Sequence, residues 1–145
     1  MLLDGAANAV ITLILAALPP GETAQTPRCK GRPEVTGSCF VVHGRMSSWN
    51  GNPVFRIWPV GTTRMLGVRD TYDLPPNIAL CTPLEESNRL YADFEVCPLA
   101  PDRPGHMRPV CVESATTLVL EVLESDASTN VLSVTRLGPE GCPSK

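Results

Sequence analysis

Several signatures of metal-binding proteins are missing from this 145-residue chain. It contains no CxxC pair, no HExxH motif and only two histidines, His43 and His106. Protein zinc sites draw on cysteine and histidine ligands that are paired at short spacing. We therefore expect no metal and no cofactor in this protein.

A hydrolase signature is also missing. There is no GxSxG motif, and a hydrolase needs a nucleophile with an adjacent base and an orienting acid. Ser47, Ser48 and His43 are close in sequence but lie across a predicted strand-to-turn boundary. Asp93 and Glu95 would share a strand face like the paired acids of a glycosidase, although such carboxylates are usually only solvated. The sequence favours a non-enzymatic protein, with a small hydrolase or a metal or thiol protein as the enzymatic alternative.

The charge balance and the hydrophobic pattern bear on two further classes of protein, those that bind nucleic acid and those that span a membrane. A formal net charge of −3 is too small to argue for a nucleic-acid partner. One apolar run, residues 6–18, is too short to span a bilayer but suits the hydrophobic region of a signal peptide. Asp4 stands where a basic residue is typical, and a buried helix is the alternative. We predict a signal peptide over residues 1–24, one β domain over residues 25–145 and no transmembrane span in the mature chain.

The cysteines agree with export. All six follow the apolar run, and an even number in a small exported chain predicts a disulfide framework. We therefore expect a periplasmic or secreted protein. If the two strands that carry them are neighbours, Cys97 and Cys111 lie on matching faces, which predicts a Cys97–Cys111 bridge. The remaining cysteines would then pair as Cys29–Cys142 and Cys39–Cys81.

Alternating apolar and polar residues predict a mainly β fold, because a strand with one buried face has a period of two. Strands are predicted over residues 40–46, 54–58, 64–69, 90–99, 107–113 and 131–137, and β-branched content favours a further strand over 114–124. The Asn50-Gly51 pair suits a turn between the first two strands. Prolines interrupt residues 70–89, where Thr82 could cap a helical turn through Glu86.

This pattern resembles the OB-fold, a Greek-key barrel with a helix between its third and fourth strands. We expect an all-β protein that forms a small closed or partly open antiparallel barrel, OB-like, with a short helix or packed loop at that position. The segments WPVGTTRMLGV, DFEVCPL and PVCVESA, within residues 38 to about 115, are also similar to small exported bacterial domains that are uncharacterised. That similarity implies a shared architecture and assigns no activity to any residue.

Arginine and tryptophan mark the candidate binding residues. Four arginines and no acid lie between Val35 and Arg69. An aromatic plane beside guanidinium groups suits an anionic saccharide, a peptide carboxylate or a nucleotide. The alternation places four side chains on one outward face and Trp49 in the adjacent turn; the candidate residues are His43, Arg45, Trp49, Arg56 and Trp58.

Two simpler interpretations remain. Arg45 or Arg56 could pair across strands with Asp93 or Glu95, and Trp58 could be an ordinary core residue. We predict an exported binding or structural interaction module. Its partner is an anionic or saccharide-type ligand, or another protein of the envelope.

Overall fold

The computed structural model describes residues 28–81, 84, 88–125 and 129–143. Strands make up 49% of the structure and helices 9%, so the fold is mainly β as predicted. The predicted signal peptide, residues 1–24, lies outside the described residues. Six strands are present among the described residues: β1 (Phe40–Ser48), β2 (Phe55–Pro59), β3 (Leu66–Val68), β4 (Asn88–Pro98), β5 (Arg108–Ser125) and β6 (Asn130–Arg136).

The sheet curls into a ring. Its strand order is β3-β2-β1-β4-β5-β6, and β3 also pairs with β5, which makes β1 to β5 a closed circuit. The closing pair is parallel and short, from Leu66 opposite Arg108 to Gly67 opposite Pro109. With the helical connection between β3 and β4, this is the OB-like arrangement that the sequence predicted. Among the described strands, the sixth pairs with β5 alone and lies outside the ring.

The alternation of buried and more exposed side chains along the strands explains which residues form the core. Along β4, every second side chain from Leu90 to Val96 is buried while the residues between them are half-buried. On β1, Gly44 and Met46 point the same way. A Cβ on Gly44 would lie 2.7 Å from Cγ2 of Ile57, so glycine lets β1 and β2 approach closely. The ring interior is therefore filled by side chains from all five strands.

The fifth strand corrects one prediction. Residues 107–113 and 114–124 were expected to be separate elements, but Arg108–Ser125 is one continuous strand of 18 residues. Its register with β4 shifts between Tyr91 and Asp93, where Thr117 has a positive φ of 55°. A bulge increases local twist. The bulge lets a single strand follow the curve of the ring and then run on to pair with β6.

The disulfide pairings were predicted wrongly. The structure joins Cys29 to Cys111, Cys39 to Cys97 and Cys81 to Cys142, so the predicted Cys97–Cys111, Cys29–Cys142 and Cys39–Cys81 bridges are not formed. Cys97 and Cys111 are indeed direct partners on neighbouring strands. However, β4 has a neighbour on each side, and the β1–β4 register brings Cys39 to Cys97 with their Cα atoms 4.1 Å apart.

The connection between β3 and β4 holds a 3-10 helix, Thr71–Asp73, and a short helix α1, Pro76–Ala79. Helix α1 precedes the predicted position, and most of the predicted turn from Thr82 to Glu86 lies outside the described residues. The Asn77 side chain donates hydrogen bonds to the carbonyls of Ala115 (2.9 Å) and Pro139 (3.2 Å). This connection is thereby fixed both to β5 and to the chain around Cys142.

A buried carboxylate anchors the chain that precedes β1. Asp73 is 2% exposed and accepts hydrogen bonds from the Arg32 guanidinium and, at 3.0 Å, from Nε of Arg69. A buried charge requires partners of this kind. The cluster therefore joins the segment before β1 to the β3–β4 connection.

Two general properties follow. Three disulfides use all six cysteines, which indicates an oxidising, non-cytoplasmic environment. No helix within the described part of the chain has the length and apolar character needed to cross a membrane.

Candidate ligand-binding surface

The pairing of β1 with β2 brings the candidate residues together. Arg45 lies opposite Trp58, and Ser47 lies opposite Arg56. Phe55 and Ile57 of β2 are buried inside the ring, so Arg56 and Trp58 point outwards. The outer face of these two strands therefore carries arginine and tryptophan side chains in adjacent positions.

Each arginine stacks on a tryptophan. The guanidinium carbon of Arg45 lies 4.7 Å from the ring centroid of Trp58, and that of Arg56 lies 4.6 Å from the ring centroid of Trp49. Cations attract the faces of aromatic rings at this distance. We call the patch formed by His43, Arg45, Trp49, Arg56 and Trp58 the Arg–Trp surface.

In the described part of the chain, the acids of β4 do not pair with these arginines, so the simpler interpretation of cross-strand ion pairs is wrong. Tyr91 is the β4 residue opposite Arg45, and Asp93 lies opposite His43. Within the described residues, neither Arg45 nor Arg56 forms an ion pair with a carboxylate, and the Nε atom of each is buried without a hydrogen-bond partner. Among the described residues, the two guanidinium groups therefore have no carboxylate partner, while their buried Nε atoms are out of reach of another molecule.

His43 closes one side of the Arg–Trp surface. Its Nδ1 atom lies 2.8 Å from Oδ1 of Asp93. The hydrogen bond from His43, followed by one from Thr117, lowers the pKa of Asp93 below its ordinary value. The carboxylate therefore stays ionised and orients the imidazole on the outer face.

The β2–β3 turn fixes Trp58. Its Nε1 donates to the carbonyl of Thr62 at 2.6 Å, and the Thr62 hydroxyl donates to the carbonyl of Pro59 at 2.9 Å. Gly61 provides the positive φ of 81° in this turn. Trp58 is half-buried on the outer face rather than part of the core, contrary to the simpler interpretation, while Trp49 is 50% exposed.

The acidic residues that a glycosidase would use have other partners. Glu95 forms an ion pair with Nζ of Lys30 at 2.6 Å, and Asp93 is bound to His43. The bond from Lys30 is the main cause of the lowered pKa of Glu95. Both carboxylates are therefore held as anions, whereas a general acid needs a raised pKa.

The serines do not approach His43. Ser47 is four residues further along β1, which corresponds to about 13 Å at the rise of a strand. Ser48 faces the opposite side of the strand from Ser47. All six cysteines are joined in disulfides. Among the described residues, the geometry therefore brings together a cationic and aromatic surface and sets neither Ser47 nor Ser48 beside His43.

Sequence reasoning identified the members of this surface but not how they pair. The register sets Arg45 against Trp58, and the connection after β1 carries Trp49 back over Arg56. The connection gave only a weak signal, since Asn50-Gly51 predicts a turn without giving its direction. Which arginine stacks on which tryptophan could therefore be assigned only from the structure.

No protein-family model matches this chain, and no match is found among curated proteins or solved structures. The similarity to small exported bacterial domains stays a prediction.

Proposed function

We propose that this protein is an exported binding module, located in the periplasm or secreted, whose Arg–Trp surface binds an acidic saccharide. The observation that carries the proposal is the pair of guanidinium–indole stacks on one outer face, without carboxylate partners among the described residues. Export rests on the predicted signal peptide and is supported by the three disulfides.

The chemistry of the surface favours a saccharide that carries carboxylates. A guanidinium group donates two parallel hydrogen bonds to a carboxylate. The exposed indole of Trp49 offers a flat apolar face against which a sugar ring can lie. Two such units side by side would read successive residues of an acidic chain such as a polyuronate.

The test is a titration with a galacturonate hexamer, followed by tryptophan fluorescence and calorimetry, with maltohexaose as the neutral control. Arg56→Gln and Trp49→Ala should each weaken hexamer binding roughly tenfold, because each removes a contact worth about 1.4 kcal/mol or more. Arg136→Gln, on an exposed strand outside the ring, is the matched control and should bind normally. Equal binding of the two hexamers, or full affinity in Arg56→Gln, would contradict the proposal. If both surface variants simply unfold, these residues belong to the scaffold.

A second candidate is a structural component of the envelope that binds another protein. The observation that favours it is β6, which is exposed along its whole length and whose Val131, Leu132 and Val134 are each more than half exposed. An apolar edge strand can pair with a strand of another chain. If such an assembly forms in analytical ultracentrifugation, Val134→Lys should abolish it, whereas Val60→Lys, at an exposed turn outside β6, should keep it. Purely monomeric protein that retains no envelope partner after cross-linking would argue against this candidate.

A further inference from the structure

A separate pocket opens at one end of the ring, where β1 and β3 begin and β2 ends. Its floor is formed by Phe40, Val42 and Leu66, and its rim by Arg64, Asp102 and Arg108. The cavity measures about 250 Å³. We call it the barrel-mouth pocket. Its floor differs from the Arg–Trp surface, because Phe40 and Val42 point towards the ring interior while Arg45 points outwards. The two sites are neighbours, since Pro59 and Thr62 of the turn that holds Trp58 also line the pocket.

The floor is apolar because it continues the core. Phe40 and Val42 share a strand face with Met46, which is fully buried deeper in the ring. At the mouth, however, the two side chains are only half-buried. They therefore offer hydrocarbon surface to a molecule that enters from outside.

The rim is cationic. The Arg108 guanidinium lies 5.7 Å from the ring centroid of Phe40, and its Nε donates to the carbonyl of Ala100 at 3.0 Å. Arg64 forms an ion pair with Asp102 across the mouth, and both side chains are nearly half exposed. Arg103 and His106 line a neighbouring hollow that also includes Arg108. The rim of the pocket itself thus carries two arginines and one acid, although the whole chain has a net charge of −3.

The size and the charge together define a ligand. An apolar cavity of ~150 Å³ takes up benzene, so this pocket has room for a larger hydrocarbon group. The excess of guanidinium groups at the rim selects a negative head group. Because the Arg64–Asp102 pair is solvent-exposed, exchange of Asp102 for a ligand carboxylate costs little.

We propose that the barrel-mouth pocket binds a small amphipathic carboxylate, such as a medium-length fatty acid. The hydrocarbon part lies on Phe40, Val42 and Leu66, and the carboxylate accepts hydrogen bonds from Arg108 and Arg64. The side chains of this second site that would contact the ligand are not those of the Arg–Trp surface.

Octanoate is the probe, and the methyl groups of Val42 and Leu66 are the reporters in a carbon–proton NMR titration. Octanoate should shift these methyl signals while those of Val131 and Leu132, on exposed β6, stay in place. Octan-1-ol and octylammonium have the same chain without the negative charge, and each should bind at least tenfold more weakly. Absence of shifts at Val42 and Leu66, or equal binding of octan-1-ol, would overturn the proposal.

Variants locate the site. Arg108→Gln should weaken octanoate binding roughly tenfold, as expected for loss of a charge-assisted hydrogen bond, and Val42→Phe should abolish it by filling the cavity. Arg64→Gln, at an exposed position, provides a third test if either of these fails to fold. Arg56→Gln removes a guanidinium from the Arg–Trp surface and should leave octanoate binding unchanged. Octanoate affinity that falls in Arg56→Gln but not in Arg64→Gln would overturn the assignment.

Discussion

Two ends of the same sheet face differ in how they are covered. At one end, Cys97 and Cys111 are fully buried in a small cluster separate from the ring core. The segment before β1 covers them through the bridges to Cys29 and Cys39. At the other end, the arginines and tryptophans of the Arg–Trp surface remain partly exposed.

Ionic contacts strengthen the covered end. Lys30 pairs with Glu95, and the Arg28 guanidinium bonds to Glu113 on β5. The backbone N–H of Thr36 also donates to the carbonyl of Pro98 at 2.9 Å. Strand β1 runs through both ends. The difference in cover therefore arises from the segment before β1, residues 28–39, which lies over one end only. The covered end is scaffold, and the open end is the one that we propose binds a ligand.

Reduction of all three disulfides should have the largest effect. Each bridge contributes ~2–4 kcal/mol, and a domain of this size has a total stability of about 5–15 kcal/mol. We expect the reduced and alkylated protein to be largely unfolded by circular dichroism. A reduced protein with an unchanged spectrum and unchanged urea midpoint would show that the covered end does not depend on its bridges.

Removing one disulfide at a time compares the covered end with the part of the chain next to α1. Cys39–Cys97 and Cys81–Cys142 close loops of similar sequence separation, 58 and 61 residues, so chain entropy predicts a similar loss of roughly 4 kcal/mol for each. Each bridge has one buried and one half-buried cysteine, but Cys97 is fully buried whereas Cys81 keeps 9% of its exposure. Cys39→Ala/Cys97→Ala should therefore destabilise more than Cys81→Ala/Cys142→Ala in urea unfolding. The reverse order would show that the Cys81–Cys142 bridge, next to α1, contributes more to stability than the bridge at the covered end.

The pH dependence of stability tests the ionic contact between Lys30 and Glu95 at the covered end. The pKa of Glu95 is lowered, mainly by the hydrogen bond from Lys30. A lowered pKa adds stability above the pKa of the unfolded chain, and this stability is lost as the pH falls through the pKa of the folded protein. Lys30→Met should return the pKa of Glu95 towards its ordinary value, measured by NMR of the side-chain carboxyl carbon. The pKa of Asp93, which depends on His43 and Thr117, should stay low in that variant.

The sequence predicted most of the strands because alternation and proline positions are local signals, and the OB-like order followed from the spacing of the strands. It could not choose between the two neighbours of Cys97, since a strand inside a ring has a partner on each side. The continuity of β5 depends on the bulge at Thr117, where a residue other than glycine takes a positive φ. The barrel-mouth pocket could not be predicted either, because its rim brings together Arg64 and Asp102, which are far apart in sequence.

The smallest effect on stability is expected at the open end. Arg45→Gln/Arg56→Gln removes two partly exposed cation–π contacts, worth about 0.5–1 kcal/mol each. Urea unfolding of this double variant should therefore show a loss of no more than about 2 kcal/mol, well below the loss of one disulfide.

The most direct test of the account is to measure galacturonate-hexamer affinity and unfolding free energy together for Arg45→Gln/Arg56→Gln. We predict that affinity falls about a hundredfold, since two charged contacts are lost, while the protein remains folded. Unchanged affinity, or a loss of stability as large as that of Cys39→Ala/Cys97→Ala, would contradict the account and make the Arg–Trp surface part of the scaffold.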